Sequence, residues 1–349
     1  MTHEAEAPPR AERRRSGPSM NDVARLAGVS GQTVSRVTNG SQSVLPETRR
    51  RVIDAMDALG YSPNSAARAL RSGTFDTIGV IAHKLARTGE SRTVEAVVEA
   101  ARDRGHTVTL IDVDSPSTAR LTEAATRLSR QAIDGLVIIR AEVREAARLT
   151  LPRDLPVVVS DSVFMGRLPA VSTDQEGGTR AVVEHLLELG HPTVHHIAGP
   201  SDSLPARVRR LAWEQNLRAR GRTVPEVIQG DWTSESGYAA GARIAADPSV
   251  TAVFCANDEM AAGLLVALHE RSVDVPGDVS VAGFDDVPLA RFLWPPLTTV
   301  RQSFDVIGRR LVDTLMDQIR DGGTVSSYRQ LVPADLIVRA STGAHRPRR

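Results

Sequence analysis

Residues 19–38 read SMNDVARLAGVSGQTVSRVT, and their spacing decides the N-terminal fold. Ser19 can cap a helix over Asn21 to Ala27, and Gly28 closes it. Ser30 can cap a second helix over Gln32 to Thr38, before Asn39-Gly40 breaks the pattern. Two short helices joined by a tight glycine-containing turn make a helix-turn-helix. Glu47 to Leu59 predicts a third helix, with Pro46 at its first turn, Val52, Met56 and Leu59 at near-helical spacing, and Gly60 as its stop. The second helix turns Val34 and Val37 inward and presents Gln32, Thr33, Ser35 and Arg36. Glutamine can pair bidentately with adenine and arginine with guanine in the major groove, while threonine and serine reach base edges or phosphates.

Charge separates this head from the rest of the 349 residues. Residues 1–72 carry 11 arginines against 7 acidic residues, a net +4, whereas the remainder carries 32 cations against 35 acids, a net −3. A basic head on a slightly acidic body points to an anionic partner for the head alone, and weighs against an ordinary polar helix face. Lys84 is the only lysine, which reads as codon bias, since no need for bidentate donors would empty the whole surface of lysine. Residues 1–18 are charged and proline-rich without periodicity, the composition of a disordered tail. A single cysteine, Cys255, excludes an internal disulfide and a thiolate cluster. No apolar run reaches the roughly 18 residues of a membrane span and no secretory leader is evident, so a cytoplasmic protein without membrane contact is expected.

After Gly73 the chain alternates. Apolar runs at Ile78–Ala82, Val108–Val113, Leu136–Ile139 and Val157–Val159 are separated by helical stretches. The pattern resumes at Val194–Ala198, Val227–Gln229, Ala252–Cys255, Val279–Gly283 and Leu297–Val300. Nearly all-apolar strands that alternate with helices indicate parallel sheets covered on both faces. There are too many units for one open sheet, so two doubly wound lobes are expected, with a ligand cleft at the carboxyl ends of their strands. Asp161, Arg209, Trp232, Asn257 and Asp285 stand at or just after predicted strand ends or in the first turn of a following helix. Carboxylates, an amide and an arginine fork suit vicinal hydroxyls, and an indole face suits the C–H face of a pyranose.

The chain resembles the LacI family of bacterial transcription repressors. The resemblance is carried by Asp22-Val23-Ala24-Arg25-Leu26-Ala27-Gly28-Val29-Ser30, Thr33-Val34-Ser35-Arg36-Val37, Asn39, Thr48-Arg49 and Leu59-Gly60-Tyr61-Ser62-Pro63-Asn64. It continues through Gly177-Gly178, His185-Leu186, Leu189-Gly190-His191, Ala198-Gly199-Pro200, Asn257-Asp258, Gly283-Phe284-Asp285-Asp286 and Pro296-Leu297-Thr298-Thr299-Val300. It implies a small all-α helix-turn-helix head on an α/β body of two doubly wound parallel-sheet lobes, like those of periplasmic binding proteins. The expected layout is a tail (1–18), a DNA-binding domain (19–63), a hinge helix or linker (64–73), a two-lobed body (74–341) and a tail (342–349). Lobe 1 is expected at about 74–173 and 302–331, and lobe 2 at about 174–301 and 332–341.

By the same resemblance, Ser30, Asn39, Thr48, Tyr61, Asn64 and Ala67 join the DNA contacts. Leu70 is the hinge leucine that wedges into a minor-groove step, and so kinks the operator. The implied partners are double-stranded, pseudo-palindromic operator DNA, a second copy of the chain, and a small effector between the lobes. Dimer is expected over tetramer because no heptad helix follows the last strand. His83, Arg87, Arg140 and Phe304 are expected in the first-lobe half of the cleft. The charge of His83 and Arg140 would suit a glycoside with a different aglycone, a sugar acid or a sugar phosphate. A purine effector is the runner-up, and a sugar-binding receptor the more remote alternative.

Catalysis is not expected. No nucleophile motif, Walker loop or G-x-G-x-x-G follows a strand, which leaves Asp285-Asp286 without machinery. His195 and His196 are adjacent on a strand and point to opposite faces, so with His191 they are not expected to form a metal site. No cofactor is expected.

Overall fold

The computed structural model describes residues 17–38, 41–62, 73–113, 117–139, 149–152, 155–162, 164–322 and 328–346. They fall into two compact units, one ending at Phe75 and one beginning at Asp76.

In the first unit, α1 (Met20–Ala27), α2 (Gly31–Thr38) and α3 (Pro46–Leu59) form a three-helix mini-core. The Ser19 backbone N–H donates to the Asp22 carboxylate at 2.9 Å while the Asp22 N–H donates back to the Ser19 hydroxyl, a capping box that satisfies two groups at once. Gly28 ends α1 with φ 64°, a left-handed conformation that glycine adopts without steric cost. The Ser30 hydroxyl accepts from Thr33 N–H at 3.2 Å and so caps α2. Val23, Val34, Val37, Val52 and Ala55 are buried together, and Leu59 and Tyr61 pack against them.

The second unit contains two six-stranded sheets. The first has the order β11-β5-β4-β3-β1-β2, from β1 (Thr77–His83), β2 (Thr107–Val113), β3 (Gly135–Ile139), β4 (Val157–Ser160), β5 (Ala170–Thr173) and β11 (Arg329–Val332), all parallel. Helices α4 (Thr88–Asp103) and α10 (Phe304–Arg320) cover one face, where Val97 and Leu311 meet Val80 and Val137. On the other face α5 (Thr118–Arg130) sets Leu121 and Leu128 against Ile81 and Ile138. The period-2 split of Val80 and Ile81 between the faces explains why the whole run is apolar.

The second sheet has the order β12-β10-β9-β8-β6-β7, from β6 (His195–Ala198), β7 (Ile228–Gln229), β8 (Ala252–Cys255), β9 (Ser280–Asp285), β10 (Thr298–Gln302) and β12 (Ala334–Ile337). Helices α6 (Gln175–Glu188) and α7 (Leu204–Ala219) cover one face, and α8 (Ser234–Ala246) and α9 (Asp258–Glu270) the other. A Cβ on Gly263 would stand 1.9 Å from the Ser234 carbonyl oxygen, and one on Gly237 2.0 Å from that of Met260, so α8 and α9 cross in backbone contact that only glycine allows.

Three strands lie outside the sequence expectation: β5, β11 and β12. Each has four residues, and β11 and β12 are edge strands carrying Arg329, Gln330 and Asp335, so none shows an apolar run. β12 pairs antiparallel with β10, so the second sheet is mixed rather than wholly parallel. The chain passes between sheets after β5, after β10 and after β11. These three crossings bring the carboxyl ends of both sheets to a common cleft. No described helix is long and apolar enough to cross a membrane.

Candidate functional site

A cavity of about 590 Å³ lies at the carboxyl ends of the strands. From the first sheet its wall is the segment after β1, with Lys84, Arg87, Thr88 and Glu90. From the second come Pro200 and Asp202 after β6, Asp231 and Trp232 after β7, Asn257 and Glu259 after β8, Asp285 at the end of β9, and Arg209 from α7. In each sheet the strand order reverses beside β1 or β6, the position where open α/β sheets leave a crevice for ligands.

Arg209 organises the second-lobe wall. Only 1% exposed, it donates through Nε to Gln175 Oε1 at 2.8 Å and through Nη1 to the Ala256 carbonyl, and its Nη2 lies 3.6 Å from Asp285 Oδ1. Its guanidinium carbon sits 3.7 Å from the Phe284 ring centroid and 5.6 Å from that of Trp232. Asp285 also accepts from Gln302 Nε2 at 2.5 Å, and Gln302 Oε1 accepts from the Thr173 hydroxyl at 2.6 Å and from Gln175 Nε2 at 3.2 Å. The network therefore ties the cleft to two of the chain crossings. A rigid fork next to a carboxylate and an indole can hold a polyhydroxylated ligand.

Asn257 caps α9, its Oδ1 accepting from Met260 N–H at 3.0 Å. Its Nδ2 donates to the Trp232 carbonyl at 3.0 Å and to Glu259 Oε2 at 2.8 Å. The residue is thus both a helix cap and part of the cleft wall. Across the cleft, the Thr88 hydroxyl donates to Glu259 Oε1. A Cβ on Gly199 would stand 2.5 Å from the Trp232 ring, so glycine at this position lets the indole lie against the β6 end. Lys84, Trp232 and Asp285 all have left-handed backbone, with φ 55°, 80° and 120°. Such conformations cost roughly 1–3 kcal/mol each and cluster at functional sites.

The two carboxylates beside Asp285 differ sharply. Burial, with the charge of Asp285 second, pushes Asp258 well above the usual carboxylate range, although Thr299 and the Val287 N–H donate to it. Burial alone would also raise Asp286, but Arg339 and Arg301 donate to it and hold it below that range. Asp286 therefore anchors β10 and the C-terminal segment instead of carrying proton chemistry.

Among the sequence-predicted effector residues, Arg87, Arg209, Trp232, Asn257 and Asp285 come together in this cavity. Phe304 lines an adjoining pocket of about 570 Å³ that also contains Asp285. Asp161 lines a separate one of about 90 Å³. His83 is buried with Nδ1 donating to the Val113 carbonyl at 2.6 Å, and it is not in the cavity lining. Arg140 lies outside the described residues. Sequence reasoning missed Glu90, Glu259, Gln175 and Gln302. Position relative to the strand ends could have flagged Gln302 and Glu259, whereas Gln175 becomes visible only through the crossing after β5.

In the head, Ser30, Gln32 and Arg36 are exposed, Thr33, Ser35, Thr48 and Tyr61 are half-buried, and Val34 and Val37 are buried. Asn39, Asn64, Ala67 and Leu70 lie outside the described residues. His191 donates or accepts with Thr251 and Ser280, while His196 donates through Nδ1 to the Phe254 carbonyl. Among the described residues, the grouping of metal-type ligands that does converge is Asp76, His106 and Asp134, at the opposite ends of the strands from the cleft.

Residues 19–64 match the family model for bacterial regulatory proteins of the lacI family, and residues 183–342 match a periplasmic binding protein-like domain. The chain is 31% identical to the ribose operon repressor of Escherichia coli (strain K12) over 321 residues, which cover 90% of this chain and 97% of that protein. It is 35% identical to the lactose operon repressor of the same strain over 331 residues, covering 93% and 90%. A crystal structure of the lac repressor dimer bound to operator and the anti-inducer ONPF superposes with a TM-score of 0.82 at 32% identity, covering 94% of this chain and 100% of that one.

Proposed function

The chain belongs to the LacI family of DNA-binding transcriptional regulators, and from that premise we propose that it represses carbohydrate-utilisation genes under the control of a sugar or glycoside. The observation that carries this reading is the convergence of Arg209 from α7 with Trp232, Asn257 and Asp285 from three separate strand ends on one cavity. A volume of about 590 Å³ accommodates a mono- or disaccharide. Trp232 is the one aromatic ring among the described lining residues, which suits stacking on one pyranose face and leaves a purine without a sandwich.

The protein acts as a homodimer in the cytoplasm. Leu289, Phe292 and Trp294, 59%, 74% and 89% exposed, supply apolar surface for the second copy. Two heads then read the half-sites of a pseudo-palindrome. Gln32 and Arg36 contact base edges, Thr33, Ser35 and Ser30 contact bases or phosphates, and Asn39, Thr48, Tyr61, Asn64, Ala67 and Leu70 complete the interface. Ligand binding rotates the first lobes relative to each other and misaligns the hinge segments. An effector that weakens operator binding must itself bind the operator complex more weakly, by the same factor.

Thermal-shift screening against mono- and disaccharides, glycosides, sugar phosphates and purines tests this directly, because a ligand that prefers the native state raises Tm. A sugar that raises Tm in the native protein but not in Arg209→Ala, each measured against its own baseline, and that changes operator affinity, supports the reading. A purine as the sole ligand overturns it.

A further inference from the structure

The charge of the cleft narrows the effector class, an inference that rests on reading the cleft as the effector site. Its described lining has three cations, Lys84, Arg87 and Arg209, against six carboxylates. Two pairings are internal: Arg209 lies 3.6 Å from Asp285, and Arg87 lies 3.6 Å from Glu90. Lys84 remains opposite Asp202, Asp231, Glu235 and Glu259.

Glu259 is the most shielded of these four, half-buried where the others are exposed. Its oxygens accept from the Thr88 hydroxyl and from Asn257 Nδ2 at 2.8 Å, both neutral donors, and no ion pair joins it to a cation among the described residues. A partly desolvated carboxylate served only by neutral donors gains most from a ligand that brings its own positive charge. Asp231 adds to the same field: hydrogen bonds from the Thr233 hydroxyl and N–H hold its carboxyl below the usual range, which favours its charged form. The same field opposes a phosphorylated or acidic sugar.

We infer that the effector is a carbohydrate bearing a protonated amino group, with Glu259 as the counter-charge on the second-lobe wall. Phosphorylated and acidic sugars are excluded by like charge. This departs from the charge expectation drawn from His83, which is turned into the first lobe, while the carboxylates outnumber the cations in the described lining; Arg140 lies outside the described residues.

The experiment uses the full chain and two matched trios, D-glucose, D-glucosamine and D-glucose 6-phosphate and the corresponding galactose set, with one matched pair, cellobiose and its diamino analogue. Thermal shifts and calorimetric titrations are recorded at low and high salt. In the set that binds, the amino member should bind about tenfold tighter than its neutral parent, with the advantage shrinking as salt screens the rim, and the phosphate should give no shift. Glu259→Gln, which keeps the acceptor for Thr88, should remove most of the amino advantage. A phosphate that binds best, equal binding of amino and neutral members, silence from every amino sugar, or an undiminished advantage in Glu259→Gln each overturns the inference. A neutral sugar that binds through Arg209 without any amino preference overturns this inference alone. A purine as sole ligand overturns the carbohydrate reading beneath it.

Discussion

Replacing Arg209 by alanine tests how far the cleft's binding group is also a structural strut. The side chain is 1% exposed, and its loss removes the donor to the Ala256 carbonyl, the donor to Gln175 and the cation beside Asp285, which is itself 6% exposed. Gln302 continues to donate to Asp285 at 2.5 Å, so part of that carboxylate's satisfaction survives. Removing one member of a buried ion pair costs about 3–5 kcal/mol, since the remaining charge stays desolvated. At roughly 2–4 °C per kcal/mol for a unit of this size, the melting temperature of Arg209→Ala falls by about 6–20 °C. Removing both charges, as in Arg209→Met with Asp285→Asn, leaves no buried ion to solvate, so the double variant should lose clearly less than the sum of the two single variants. Urea unfolding of the full chain, followed by far-UV circular dichroism, measures all five proteins: native, Arg209→Ala, Arg209→Met, Asp285→Asn and the double variant. A single variant within about 1 kcal/mol of the native protein, or a strictly additive double variant, would refute the assignment of a buried, mutually dependent pair.

Gln32→Ala and Arg36→Ala should each reduce preference for a selected operator over random DNA by about 1–3 kcal/mol, and unchanged competition in a mobility-shift assay would remove the base-reading role. Leu45, 74% exposed, caps α3 without a side-chain hydrogen bond, so Leu45→Ser should stabilise the head by about 1 kcal/mol; slower amide exchange in α1–α3 is the expected sign, and unchanged exchange counts against it. Burial depresses His191 to about 4, although the Gly343 carbonyl favours its charged form. Its folded pKa lies below the unfolded value, so the unfolded chain takes up the proton first. The contribution of neutral His191 is complete above about pH 6.5 and drains as pH falls toward 4. Asp258, raised in the folded state, acts with the opposite sign, so the comparison is between native protein and His191→Gln. The native protein should lose more stability between pH 7.5 and 5.0 than the variant does, and an equal or steeper loss in the variant contradicts the assignment.

The head was legible almost residue by residue. Ser19, Gly28, Ser30, Pro46 and Gly60 act within one helical turn, and the structure uses each where its local chemistry placed it. Seven of the nine apolar strands anticipated were legible for a related reason, since strands buried on both faces must be apolar nearly throughout, whereas β2 and β7 are partly exposed edge strands recognised by their apolar residues alone. The strands β5, β11 and β12 were not, because short strands with small residues or polar edge positions carry no periodic signal.

Within the site, Trp232, Asn257 and Asp285 could be found because each stands at or within three residues of a strand end, where open sheets bind ligands, and Arg209 because it lies early in the helix that follows β6. Residue pattern and spacing alone were enough for the family and for the two sheets. Which charges share the cleft is a matter of long-range packing. It sent His83 to the Val113 carbonyl, moved Asp161 and Phe304 to neighbouring pockets, and set Thr88 of one lobe against Glu259 of the other, 171 residues apart. The physical reason is range: a cap or an apolar run is decided by neighbours a few residues away, whereas the electrostatics of a cleft depend on which distant loops the chain crossings bring together.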